Sequence, residues 1–258
     1  MVLLPFVDLD LDPALAALRP LGGFFALRTA GAAAGPARVE LPTLAQTYAT
    51  APAHGRGDAL ASRVVVVTER LRAPEPRVAA SLAQQGLAAR LWSVALGCAA
   101  LYGRLPDLDP GLLRWDVRAS APGDLLLTEV RPQPGEPDLA SGVLERHLAP
   151  LGEALRARYG VAAGLLWGNA GSALGGAARE LDRWARAHGR TDVAERARTL
   201  TDDLFAHPLL RATGTRTGTA FRRRSCCLYY RVPGGGVCGD CCFNRPPHSS
   251  PGTASGRP

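Results

Sequence analysis

The chain has 258 residues yet contains no lysine and no isoleucine, so all 30 of its basic residues are arginines. Without lysine there is no catalytic amine, no Schiff base and no phosphate-loop lysine. The accompanying wealth of Ala, Gly, Pro and Arg reads as GC-rich codon usage rather than as function. Histidine is sparse and scattered: His54, His147, His188, His207 and His248 lack metal-site spacing. No G-x-G-x-x-G lies between a strand and a helix, so no nicotinamide or flavin site is evident. Gly171-Ser172-Ala173 is not a nucleophile elbow. Asp8, Asp10 and Asp12 alternate, but without the glycine and terminal glutamate of a calcium loop. The longest largely apolar stretch, Leu91 to Gly103, has 13 residues, short of the roughly 20 that a bilayer requires. The start, MVLLPFVDLDLDP, lacks the basic region of a secretory signal. Together these features predict a soluble, cytoplasmic protein with no transmembrane segment.

The formal charge of +7 is unevenly placed. Residues 1–206 balance 22 Arg against 22 acids, whereas residues 207–258 carry eight Arg and a single acid, Asp240. A basic tail of this kind suits a solvated surface, a nucleic acid or a membrane. It suits an anionic metal cluster better, and no nucleic-acid partner is predicted.

That basic end holds five of the six cysteines within 17 residues, in the run CCLYYRVPGGGVCGDCC from Cys226 to Cys242. Cytoplasmic thiols stay reduced, so the cluster points to sulfur-ligated metal rather than disulfides. The pattern is C-C-x10-C-x2-C, with Cys226, Cys227, Cys238 and Cys241 as ligand candidates. Four thiolates suit zinc or iron–sulfur alike. In Cys238-Gly239-Asp240-Cys241 the two-residue spacer turns both sulfurs to one point, with Gly239 free to take positive φ. Neighbouring side chains of an extended backbone point apart. Cys226 and Cys227 therefore meet one zinc only through a local turn, and they reach a binuclear centre more readily. Cys98, among Ala, Leu and Val, reads as a buried, inert thiol.

The rest of the chain predicts an α+β protein with a mainly helical body and a small antiparallel β portion. Val78, Leu82, Gln85, Ala89, Trp92 and Leu96 recur at helical spacing between Arg77 and Gly103. Gly86 marks a bend or a close contact in that helix. The β-branched run VVVVT within Arg63–Arg70 predicts a buried strand. Residues 112–119 and 124–131 predict a β-hairpin around Ala121-Pro122-Gly123. Helices follow over 139–148, 150–159, 164–188 (Asn169 or Ser172 as caps) and 192–205 (Thr191 as cap). Glycines 164–176 suggest helix–helix packing. Residues 212–220 read as a linker or extended stretch. The domain division predicted is a helical body over 1–211, a cysteine module over 212–243 and a disordered tail over 244–258.

The cysteine pattern resembles the C-terminal [2Fe–2S] motif of the FhuF-like ferric iron reductases. The flanks resemble it too: Arg222–Arg224, Leu228-Tyr229-Tyr230-Arg231 and Cys238-Gly239-Asp240-Cys241. Upstream, Ala79–Leu82, Arg90–Ser93 and Leu166-Trp167-Gly168-Asn169 look like the family's helical body. The extra thiol Cys242 departs from the pattern, as does the tail beyond it. The resemblance implies a [2Fe–2S] cluster on Cys226, Cys227, Cys238 and Cys241, and reduction of siderophore-bound Fe(III). An external donor, a ferredoxin or a reduced flavin, would supply the electrons. It also leaves room for Trp92 and Trp167 in a substrate cleft and for Arg222, Arg223, Arg224 and Arg231 as attractors of anionic chelates. The competing expectation is a helical scaffold with a structural zinc on four cysteines. A fragment of a siderophore synthetase is disfavoured by the short chain and the missing lysine.

Overall fold

A computed structural model describes residues 11–30, 41–49, 58–133 and 135–247. Its elements run α1 (Leu11–Ala16), β1 (Arg28–Thr29), α2 (Leu44–Tyr48), α3 (Ala59–Leu71), α4 (Pro76–Tyr102), β2 (Leu113–Trp115) and β3 (Leu125–Leu127). A π-helix (Ala140–Leu148) then leads into α5 (Ala149–Tyr159), α6 (Ala163–Ala187), α7 (Thr191–Ala206), β4 (Gly214–Thr217) and β5 (Ala220–Arg223). Helices dominate and the sheets are small, as the sequence predicts. Asp8, Asp10, His54, His248 and the tail beyond Pro247 lie outside the described residues.

The axis of the molecule is α4. Pro76 opens it and Gly103, in the left-handed conformation with φ 64°, closes it. Its buried residues run around the whole circumference, from Val78 and Ser81 through Trp92 and Cys98. A helix buried on every side must be wrapped by others, and α3, α5, α6 and α7 all pack on it. Trp92 and Cys98 have no exposed surface, so Trp92 is a core residue rather than part of a cleft. Burial pushes the Cys98 thiol up to about 12 and keeps it protonated. Gly86 makes no close contact: a Cβ there meets nothing within 4 Å. The close approach is at Gly97 instead, where a Cβ would lie 3.1 Å from Phe25.

The valine run is helical, not a strand. Asp58 caps α3 by accepting the Ala61 N–H at 2.9 Å. Val64 and Val67 then fall three apart and bury against α4, while Val65 stays exposed. Tertiary packing outweighs the β preference of valine.

β2 and β3 form the expected antiparallel pair, shorter than predicted, and β1 joins β3 in parallel. This sheet is tied to α4 by Arg90. Its side chain is 1 % exposed, pairs with Asp124 at 2.8 Å and donates to the Ala26 carbonyl.

Another buried basic side chain, His147, is wholly enclosed. Its Nδ1 meets the Tyr48 hydroxyl at 2.8 Å and its Nε2 lies 2.6 Å from the Leu108 carbonyl. Burial lowers its pKa from 6.5 to about 4. The folded state therefore resists a proton that the unfolded state accepts. Stability from this group is complete above pH 6.5 and is lost as pH falls toward 4, by about 3 kcal/mol in all. Chemical denaturation at pH 7 and pH 4.5 should show a larger loss for the native protein than for His147→Gln. Equal losses would mean that His147 is not held neutral.

Candidate metal centre

α6 is the bed on which the C-terminal segment lies. Glycines 168, 171 and 175 recur along one face of it. A Cβ at Gly168 would sit 2.0 Å from Ser225 Oγ, one at Gly171 2.6 Å from Thr213 Oγ1, and one at Gly175 3.0 Å from Phe221 Cβ. The glycines thus admit the β4–β5 hairpin, not a neighbouring helix. The stretch read as a linker or an extended segment is extended: it holds the first strand of that hairpin. β4 and β5 pair antiparallel, with Phe221 buried against α6.

Polar contacts fix the hairpin and the cysteine loop in place. Ser81 on α4 donates to the Cys227 carbonyl at 2.8 Å. Asn169 donates to the Ser81 carbonyl at 2.9 Å, and its own side-chain oxygen accepts from Arg223 Nη2. Ser172 donates to the Asp240 carboxylate at 2.6 Å, and Arg179 pairs with Asp240 at 3.1 Å. The backbone N–H of Arg223 donates to the Asp240 carbonyl at 3.0 Å. Asn169 and Ser172 therefore stand inside α6, which starts at Ala163 after Ala162; they cap nothing. Thr191 likewise is the first residue of α7, not its cap. Sequence patterns could not reveal Ser81, Asn169, Ser172 or Arg223 as clamps, because polar residues inside helices usually face solvent. One signal was available: Asp240 is the single acid of the basic end, and it is buried.

The loop brings two of the five thiols, Cys227 and Cys238, close together and carries the other three beside them. After Cys227, Leu228 takes the left-handed conformation, φ 69°, and its N–H donates to Cys226 Sγ at 3.3 Å. The chain thus turns directly after the pair. Gly234 at φ 74° and Gly235, where a Cβ would lie 2.3 Å from the Tyr229 carbonyl, fold the return. The Cys241 N–H donates to the Cys238 carbonyl at 3.0 Å, closing the C-x2-C turn. Gly239 does so without positive φ. The Phe243 N–H donates to Cys241 Sγ at 3.4 Å. Cys227 is buried; Cys226, Cys238, Cys241 and Cys242 are half-buried, and all are free thiols.

Cys227 and Cys238 approach to 3.7 Å between sulfurs. That matches the edge of a sulfur tetrahedron, about 3.8 Å for metal–sulfur bonds of about 2.3 Å. The Cys227 thiol and the Leu228 N–H hold the Cys226 pKa below its ordinary value. Cys226 as hydrogen-bond partner raises that of Cys227, and Cys227 in turn raises that of Cys238. Among the described residues no three His, Cys, Asp or Glu side chains gather about one point as a single metal ion would need. The donor set is one close pair with further sulfurs beside it. An all-sulfur donor set of this kind fits an iron–sulfur group.

Residues 223–243 match the FhuF 2Fe-2S C-terminal domain, and residues 99–219 match the family described as ferric iron reductase FhuF-like transporter. Together they span more than half of the chain. The body match starts at Ala99, downstream of the Ala79–Leu82 and Arg90–Ser93 segments. No curated protein matches the chain. The cofactor of the cysteine module is a [2Fe–2S] cluster. No helix of the described residues is long and apolar enough to cross a membrane.

The glycine bed is open to test. Gly171→Val forces overpacking against Thr213 and Phe221, which costs about 1–3 kcal/mol, and should lower cluster content per chain. Gly86→Ala, with nothing nearby, should keep full iron content and gain about 0.4–1 kcal/mol in denaturant melts. Full iron loading of Gly171→Val would contradict the docking described.

Proposed function

The chain belongs to the FhuF-like ferric iron reductase family, and on that premise we propose that it reduces Fe(III) held by a siderophore. The electron passes at the cysteine end of the molecule, and the metal leaves its chelator as Fe(II). Fe(III) is a hard ion held by charged oxygens, and one added electron weakens those bonds. When bound, the cluster supplies one-electron transfer at a time.

We assign Cys226, Cys227, Cys238 and Cys241 as its ligands. The close Cys227–Cys238 pair supports two of them. Cys226 and Cys241 share a second trait: each sulfur accepts a backbone N–H from the residue two positions on. Such N–H groups stabilise charge on sulfur. Cys242 is the surplus thiol.

The placement of the thiols carries the conclusion. They lie at the surface of the helical body with Cys226, Cys238 and Cys241 half-exposed, where electrons can be exchanged with a docked molecule. Tyr229, Val237 and Phe243 expose apolar surface in the same loop. Arg222, Arg224, Arg231 and Arg245 are exposed there too. Arg223 is buried and cannot meet a chelate in solution. Arg231 is held by Glu75, and Arg222 by Asn244 at 2.7 Å. This cationic and apolar rim suits an anionic ferric chelate. The chain has no nicotinamide or flavin fingerprint, so a ferredoxin or reduced flavin is the donor. Reduced thiol ligands suit the cytoplasm. The functional division is a body over residues 1–211, the cluster module over 212–243 and an appended tail over 244–258.

Serine at Cys226, Cys227, Cys238 or Cys241 should remove most iron and acid-labile sulfide, while Cys98→Ser and Cys242→Ser keep it. Loss in Cys242→Ser but not in Cys241→Ser would shift the ligand set. For the reaction, dithionite-reduced protein freed of excess dithionite is mixed with a ferric hydroxamate or ferric catecholate, and Fe(II) is trapped by a colorimetric chelator. The EPR signal of the reduced centre should vanish as about one Fe(II) per cluster appears. A signal that persists with both chelates contradicts the proposal.

A further inference from the structure

Arg223 ends β5, three residues before the first cysteine of the module, and its side chain is 2 % exposed. Only Nη2 is satisfied, by Asn169, while Nε and Nη1 have no hydrogen-bond partner. Among the described residues no carboxylate pairs with it; Asp240, whose backbone it contacts, gives its carboxylate to Ser172 and Arg179. A buried, unpaired guanidinium is costly. A fold keeps such a group where an anion meets it.

The surroundings name that anion. The strand carrying Arg223 is held to the Cys238–Cys241 turn through the Asp240 carbonyl. Asn169, which grips the guanidinium, is joined through Ser81 to the backbone of Cys227.

We propose that Arg223 is a positioning residue for the redox centre, the buried cation that favours its reduced state and so sets its reduction potential. A [2Fe–2S] group on four thiolates is anionic, and an electron taken from an external one-electron donor adds one further negative charge. A fixed positive charge in a poorly screened site stabilises the more negative state more strongly. Asn169 holds the guanidinium in place. The exposed arginines act on docking and leave the potential nearly unchanged, since water screens them.

The inference rests on the cluster, not on the ferric chelate being its substrate. The test is an anaerobic potentiometric titration of cluster-loaded protein, followed by EPR. Arg223→Gln should lower the equilibrium constant for reduction at least tenfold, which is about 59 mV for one electron. Arg223→Lys should fall less, and Arg224→Gln should match the native protein. Should Arg223→Gln fail to load iron, native protein carrying 15N in its arginine guanidinium groups decides by pulsed EPR of the reduced state. A 15N hyperfine coupling to the cluster is expected, and its absence overturns the proposal. An unmoved midpoint in loaded Arg223→Gln also overturns it. A colourless native protein would instead sink the function proposed above.

Discussion

Everything at the functional end depends on how closely the C-terminal hairpin approaches α6. At Gly168, Gly171 and Gly175 a single methyl carbon would strike Ser225, Thr213 or Phe221. Without side chains there, the hairpin sits deep enough for polar groups of α4 and α6 to reach the cysteine loop. Ser81 then holds Cys227, and Ser172 with Arg179 holds Asp240 inside the C-x2-C turn. Glycine in a helix interior lowers intrinsic helix stability. Here the long, buried α4 beneath supplies the packing that keeps α6 helical.

The charge pattern acquires meaning from the same docking. In the sequence the C-terminal excess is a uniform basic run. Among the described residues the fold sorts it into one buried arginine on the cysteine side and several exposed ones around the loop. The two populations act on different terms. A buried charge changes the energy difference between oxidation states, whereas exposed charges change encounter with an anionic partner. The one acid of the region faces inward and serves anchoring, so the rim is left cationic.

The cysteine spacing and the long helix were legible in the sequence, because each depends on local pattern alone. Sulfur spacing within one loop is set by a few residues, and α4 advertises itself by its apolar repeat between Pro76 and Gly103. What failed depended on distant partners. Val64 to Val67 carry a strand preference that α4 overrides. Asn169 and Ser172 look like caps until the hairpin is known to cover them. The glycines of α6 reveal close contact but not with what, and residues 212–220 leave linker and extended strand open until the pairing with Ala220–Arg223 is known. The left-handed Leu228, which turns the chain after the adjacent cysteines, has no sequence signature, since such backbone is expected of glycine or asparagine.

The central claim is that this docked loop presents four thiolates to a pair of irons. Iron K-edge X-ray absorption on anaerobically purified protein addresses it directly. The account predicts an all-sulfur first shell with an iron–iron scattering path at a single short distance. A first shell of nitrogen or oxygen, or a protein whose bound metal is zinc with no iron edge, would contradict it.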